Sequence, residues 1–124
     1  MADSDIHREL FIASEAGDDT RVTELLAAEI EPDKFKDMYG RNVLMVAAKS
    51  GRDSTVSIII QHGADLNMQD NGGVTALMVA AERGRDSTVT ILIQHGADLN
   101  IQDNGGKKPI QVARDEATER LEER

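Results

Sequence analysis

The sequence predicts an all-α fold, a solenoid of stacked helix-turn-helix units joined by turn and hairpin loops, and three features carry that prediction. Residues 37–69 and 70–102 are each 33 residues long and agree at 23 of 33 positions without a gap. Within each copy the apolar residues recur at helical spacing, as Leu44, Ala47 and Ala48 do at i, i+3 and i+4. Glycines and Asp/Asn clusters punctuate both copies at the same places. A period of this size marks a stack in which no unit can bury its apolar side alone.

The elements follow in order. Residues 10–33 keep the template loosely: Leu10, Ala13, Gly17, Val22 and Leu25 align with Leu44, Ala47, Gly51, Val56 and Ile59. One extra residue stands between Asp33 and Asp37. The single domain therefore divides into an N-terminal end repeat (1–36), two full repeats (37–69 and 70–102) and a truncated C-terminal end repeat (103–124). The last begins as DNGGKKPIQV and degrades to RDEATERLEER, as expected where a unit turns one side to water. In each full repeat Asn42 or Thr75 stands where a side-chain oxygen caps a first helix, and Gly51 or Gly84 ends it. Ser54 or Asp53 is placed to cap a second helix, which runs through Val56, Ile59 and Ile60 to His62. Gly63 and Gly96 follow at the position that favours a left-handed residue, and residues 64–73 read as turns. The Ala-Ala pairs let neighbouring first helices approach closely. The identity also covers Asp53, Ser54 and Thr55 against Asp86, Ser87 and Thr88, and Gln61 against Gln94. Packing alone does not demand those residues, so the copies read as a recent duplication, or copying by design, in preference to convergence.

Composition narrows the function. Hydrophobic residues are 40% of the chain but aromatics only 2%, Phe11, Phe35 and Tyr39, so the core is aliphatic. The net charge is −9, with 10 acids against 4 bases in residues 1–36. That balance argues against nucleic acid and against an anionic membrane surface. Cysteine is absent, which excludes disulfides and thiolate metal sites. MADSDIHREL carries neither a basic start nor an apolar run of signal-peptide length, so a soluble, cytoplasmic protein is the default expectation.

The strings GADLN at 63–67 and 96–100, D-x-x-G at 37–40, 70–73 and 103–106, and LMVAA at 44–48 and 77–81 resemble the ankyrin repeat over nearly the whole chain. The family's Thr-Pro-Leu-His reads Asn42-Val43-Leu44-Met45, Thr75-Ala76-Leu77-Met78 and Lys108-Pro109-Ile110-Gln111. Its histidine, which ties the loop with hydrogen bonds, is absent each time; methionine packing is expected in its place. Pro109 stands at a first helical position, where its missing N–H costs nothing.

No constellation for chemistry emerges. His62 and His95 occur singly at helix ends, where a cation suits the dipole, and His7 reads as an isolated surface residue. Residues 65–76 fail as a calcium loop, because the sixth and twelfth positions hold Asp70 and Ala76. Gly72-Gly73 and Gly105-Gly106 lack the Lys-Ser/Thr of a phosphate loop. Asp18-Asp19 and Glu122-Glu123 read as solvated surface. The expectation is no enzyme, no metal and no cofactor.

The resemblance implies a partner-binding face made of loop tips and first helices. Carried over by position, its contact sites fall on Met38, Tyr39, Arg41, Lys49 and Ser50, on Asn71, Gly72, Val74, Glu82 and Arg83, and on Asn104, Gly105 and Lys107. Eight of the 10 differences between the full repeats lie at residues 38, 39, 41, 42, 43, 49, 50 and 68, on that same side. Met38 and Tyr39 are the anchors of choice, with Arg41, Lys49 and Lys107 as cations beside them. The expected partner is another protein with an acidic, partly apolar patch, bound by a monomer acting as adaptor or inhibitor. The alternatives are a self-associating structural protein and a copied-repeat design with no natural partner.

Overall fold

The computed structural model describes residues 3–111. Among the described residues six α-helices pair into three hairpins: α1 (Asp3–Ala16) with α2 (Asp19–Ala27), α3 (Val43–Lys49) with α4 (Asp53–Gln61), and α5 (Ala76–Glu82) with α6 (Asp86–Gln94). A 3-10 turn at Pro32–Lys34 leads into the first long loop. Residues 109–111 are again helical and start at Pro109. The remainder of the expected C-terminal end repeat, 112–124, lies outside the described residues.

First helices stack on first helices, α1 on α3 and α3 on α5, while α2 packs on α4 and α4 on α6. Leu10, Leu44 and Leu77 lie buried along the first row, and Val22, Val56, Ile59 and Leu92 along the second. Ala47, Ala48 and Ala80 are fully buried, so the first helices meet without bulky side chains between them. Asn42 accepts from Met45 N at 3.0 Å and Thr75 from Met78 N at 3.3 Å, as their placement before the helices predicts. Gly63 and Gly96 adopt φ of 93° and 95°. Among the described residues one buried polar side chain lacks a partner: Ser14 Oγ makes no hydrogen bond. Its counterparts in the next repeats are Ala48 and Ala81. Ser14→Ala should therefore stabilise the fold by about 1 kcal/mol, read as a higher urea midpoint at unchanged slope.

Second-helix capping differs from expectation. The N-caps of α4 and α6 are Arg52 and Arg85, with no side-chain cap. Ser54 and Thr55 instead donate to the carboxylate of Asp19, one repeat earlier, and Ser87 and Thr88 donate to Asp53. The shared Asp-Ser-Thr string is thus a rung between repeats, and its identity is demanded by stacking after all. Arg52 and Arg85 add a second rung, their Nε atoms donating to Glu15 O at 3.1 Å and Lys49 O at 3.2 Å.

The histidines also find structural places. His62 Nδ1 lies 2.9 Å from Ile58 O and His95 Nδ1 2.8 Å from Ile91 O, against the last turns of their own helices. His7 is not an isolated surface residue: it is half-buried, stacked on Phe35 and tilted against Phe11, with ring centroids 4.9 Å apart in both pairs.

Candidate binding face

Each long loop is built on one aspartate. Asp37 Oδ1 accepts from Tyr39 N and Arg41 N at 2.9 Å, Asp70 Oδ1 from Gly72 N and Val74 N, and Asp103 Oδ1 from Gly105 N and Lys107 N. A backbone pair closes each turn, Asp37 N to Arg41 O and Gly40 N to Asp37 O in the first, both at 3.0 Å. Adjacent loops are then tied together. Asn71 N donates to Tyr39 O and Asn104 N to Gly72 O, each at 2.9 Å, and the Asn71 and Asn104 side-chain amides donate to Met38 O and Asn71 O. Met45 and Met78 are buried as expected. They do not substitute for a loop network, because aspartate and asparagine supply one.

A groove runs between α1 and the first of these loops. Its wider part encloses about 490 Å³ against His7, Arg8, Phe11, Met38 and Tyr39. A narrower part of about 170 Å³ continues past Arg41 to Val46, Lys49 and Ser50 on α3, and the two share Phe11, Ile12, Asp37 and Arg41. Three large apolar side chains stand open to solvent on this face: Met38 is 82% exposed, Ile12 59% and Tyr39 57%. Arg41 holds the loop's geometry, its Nε 2.7 Å from Asp37 Oδ2 and its guanidinium 4.9 Å from the Tyr39 ring centre. Neither Arg8 nor Lys49 forms an ion pair with another described residue.

Burial raises the Asp37 carboxyl's affinity for a proton, but donation from Arg41's backbone and side chain and from Tyr39's backbone outweighs it, leaving the pKa below the ordinary value. A carboxylate depressed in the folded state contributes stability that is present above its unfolded pKa, near 3.9, and lost as pH falls through the folded value. Asp37→Asn should therefore destabilise by roughly 1–2 kcal/mol at pH 7, with the gap to the unaltered chain closing below about pH 4. Thermal melts at stepped pH values check this.

All five sites carried over to the first full repeat, Met38, Tyr39, Arg41, Lys49 and Ser50, line the groove. The later ones, Asn71, Val74, Glu82, Arg83, Asn104 and Lys107, lie outside it, and the Asn71 and Asn104 amides are committed to the loop ladder. Two of the differing positions are not surface at all. Asn42 and Val43, like Thr75 and Ala76, are buried, the first of each pair as a cap and the second as core. The α1 side, His7, Arg8, Phe11 and Ile12, was missed by positional carry-over. The run Leu10-Phe11-Ile12 held a signal, since three adjacent bulky residues on a helix cannot all face one core, and Leu10 takes the buried place.

Among the described residues there is no helix long and apolar enough to cross a membrane. No curated protein matches the chain. The family model for ankyrin repeats matches in three copies over residues 10–103, most of the chain. Ankyrin repeats are in general protein–protein interaction modules. With stacked helical hairpins, hydrogen-bonded loops and three matched repeats, the chain belongs to the ankyrin-repeat family.

Proposed function

We propose that this protein acts as a monomeric adaptor or inhibitor that binds a partner protein in the groove between α1 and the first long loop, and that the partner brings an acidic, partly apolar patch. What carries the reading is the conjunction of Ile12, Met38 and Tyr39, all exposed, with Arg8 and Lys49, which form no ion pair among the described residues, in a chain of net charge −9. Exposed aromatic, methionine and arginine side chains are the common anchors of protein interfaces. The hydrogen-bonded loop presents them already ordered, so little conformational freedom is lost on binding.

Tyr39→Ala combined with Arg41→Glu should reduce the recovered partner at least about tenfold, the loss of roughly one anchoring side chain. The measurement is affinity capture from the source extract with mass spectrometry, using the unaltered chain and the variant as baits. Because Arg41 also braces Asp37, Ile12→Glu serves as a second bait that leaves the loop alone; circular dichroism checks that helix content is kept. Equal recovery by all three baits would remove this surface from consideration.

A further inference from the structure

The second and third long loops share the string Gln-Asp-Asn-Gly-Gly, at 69–73 and 102–106. It sets Asn71 and Asn104 each before a glycine, an arrangement the first loop lacks because Met38 and Tyr39 stand there. Asparagine before glycine is open to attack from within the chain. With no Cβ on the following residue, its backbone nitrogen reaches the side-chain amide carbon unobstructed. Asn67 and Asn100 precede Met68 and Ile101, whose side chains shield that nitrogen.

The fold withholds both reactants. Gly72 N donates to Asp70 Oδ1 at 2.8 Å and Gly105 N to Asp103 Oδ1 at 2.9 Å. Each nitrogen is thereby turned towards an aspartate, whose charge opposes removal of the N–H proton that attack requires. The side-chain amides are held as well, Asn71 Nδ2 on Met38 O at 3.3 Å and Asn104 Nδ2 on Asn71 O at 3.0 Å. Both asparagines are nevertheless exposed to water. The hold is also uneven. Asn71 and Gly72 are bonded to a loop on each side: the first loop accepts from Asn71, and the third donates to Asn71 O and Gly72 O. Among the described residues Asn104 is bonded to one neighbouring loop, the second.

We propose that Asn71 and Asn104 are self-modification sites, converted by water to aspartate and isoaspartate when their loops open, Asn104 first and Asn71 after it. The glycine nitrogen bonds to the asparagine Cγ, and Nδ2 leaves as ammonia with the glycine's proton, so that a cyclic imide remains. Water then breaks either C–N bond of the ring. The net exchange is an amide and water for a carboxylate and ammonium. At position 104 the product turns an acceptor towards Asn71 O, where a donor stood, and the tie between the loops is lost. The Asn71–Gly72 peptide loses that cover and reacts next, which strips Met38 O of its own donor. The ladder thus unties from the third loop towards the first, whatever the groove beside α1 binds.

The shared string supplies its own control, because the two sites have the same two neighbours on each side and a difference in rate belongs to the fold. The full chain is incubated in mildly alkaline buffer, folded or in urea, then cleaved with trypsin and sequenced by mass spectrometry. Peptides 53–83 and 86–107 carry one site each, with Asn67 and Asn100 as internal references. In urea the two sites should convert at equal rates. In the folded chain Asn104 should slow by on the order of tenfold, and Asn71 by more. Asn104→Asp, checked by circular dichroism for an unchanged fold, should speed conversion at Asn71 in the folded chain and leave it unchanged in urea. Rates as fast folded as in urea overturn the proposal, and so do equal rates at the two sites in the fold. An Asn71 rate untouched by Asn104→Asp overturns the sequence of events. The comparison of folded and urea-treated unaltered chain decides the first point whatever the stability of that variant.

Discussion

Gly73→Ala is expected to lower the stability of the stack by about 3 kcal/mol. Gly73 closes the second long loop at φ 78°, and a side chain there bears the left-handed penalty of ~1–2 kcal/mol. The added Cβ also has nowhere to go. It would stand 2.7 Å from Asn104 N and 3.0 Å from the carbonyl carbon of Asp103, both backbone atoms of the third loop. Relief requires that loop to move away, which breaks the bonds from Asn104 N to Gly72 O and from the Asn104 amide to Asn71 O. Gly63→Ala is the matched control. Its φ of 93° is as unusual, but a Cβ there meets nothing within 4 Å, so its cost stays near the conformational term alone. Urea denaturation separates the two, and hydrogen exchange should show the Asn104 amide losing protection only in Gly73→Ala.

Asp53→Ala should cost a similar amount, about 3 kcal/mol. The substitution removes a carboxylate that accepts from two hydroxyls of the following repeat. Ser87 is exposed and can turn to water, whereas Thr88 is fully buried and is left with an orphaned hydroxyl. Most of the loss should come from that orphan, so Thr88→Val added to Asp53→Ala should recover ~1–2 kcal/mol. A double-mutant cycle by chemical denaturation measures the coupling; simple additivity of the two changes would show that the rung contributes nothing to stacking. In a stack each interface carries its own share of stability. Asp53→Ala should therefore free α5 and α6 to exchange before α1 to α4, separating what is one transition in the unaltered chain.

The sequence carried the architecture because the repeat is a one-dimensional property. Glycine punctuation and the Asn42 and Thr75 caps act within a few residues of where they stand, and each is found where it was expected. What escaped reading acts across the period. Asp53 and Ser54 read as candidate helix caps and, with Thr55, as residues packing does not demand, because their partners lie 34 to 36 residues away and no local pattern announces them. The candidate groove was legible in the same uneven way. Met38, Tyr39, Arg41, Lys49 and Ser50 were carried over by position from the family resemblance, and they line one groove. Arg8, Phe11 and Ile12 could not, because the first repeat diverges from the template and its wall of the groove exists only once α1 is laid beside the first loop. Asn42 and Val43 misled in the opposite direction, since variation between copies marks a buried cap and a buried wedge as readily as it marks a surface.

The matching rungs between successive repeats have a consequence for how this protein can change its length. Plug and socket are cut to one pattern, down to the carboxylate on one side and the hydroxyl pair on the other. A further copy of residues 37–69 spliced in after residue 69 would arrive with both halves of the joint already made. Growth by whole units needs no new interface to be invented, while the groove beside α1, which occurs once, keeps its place at the amino end however many units follow.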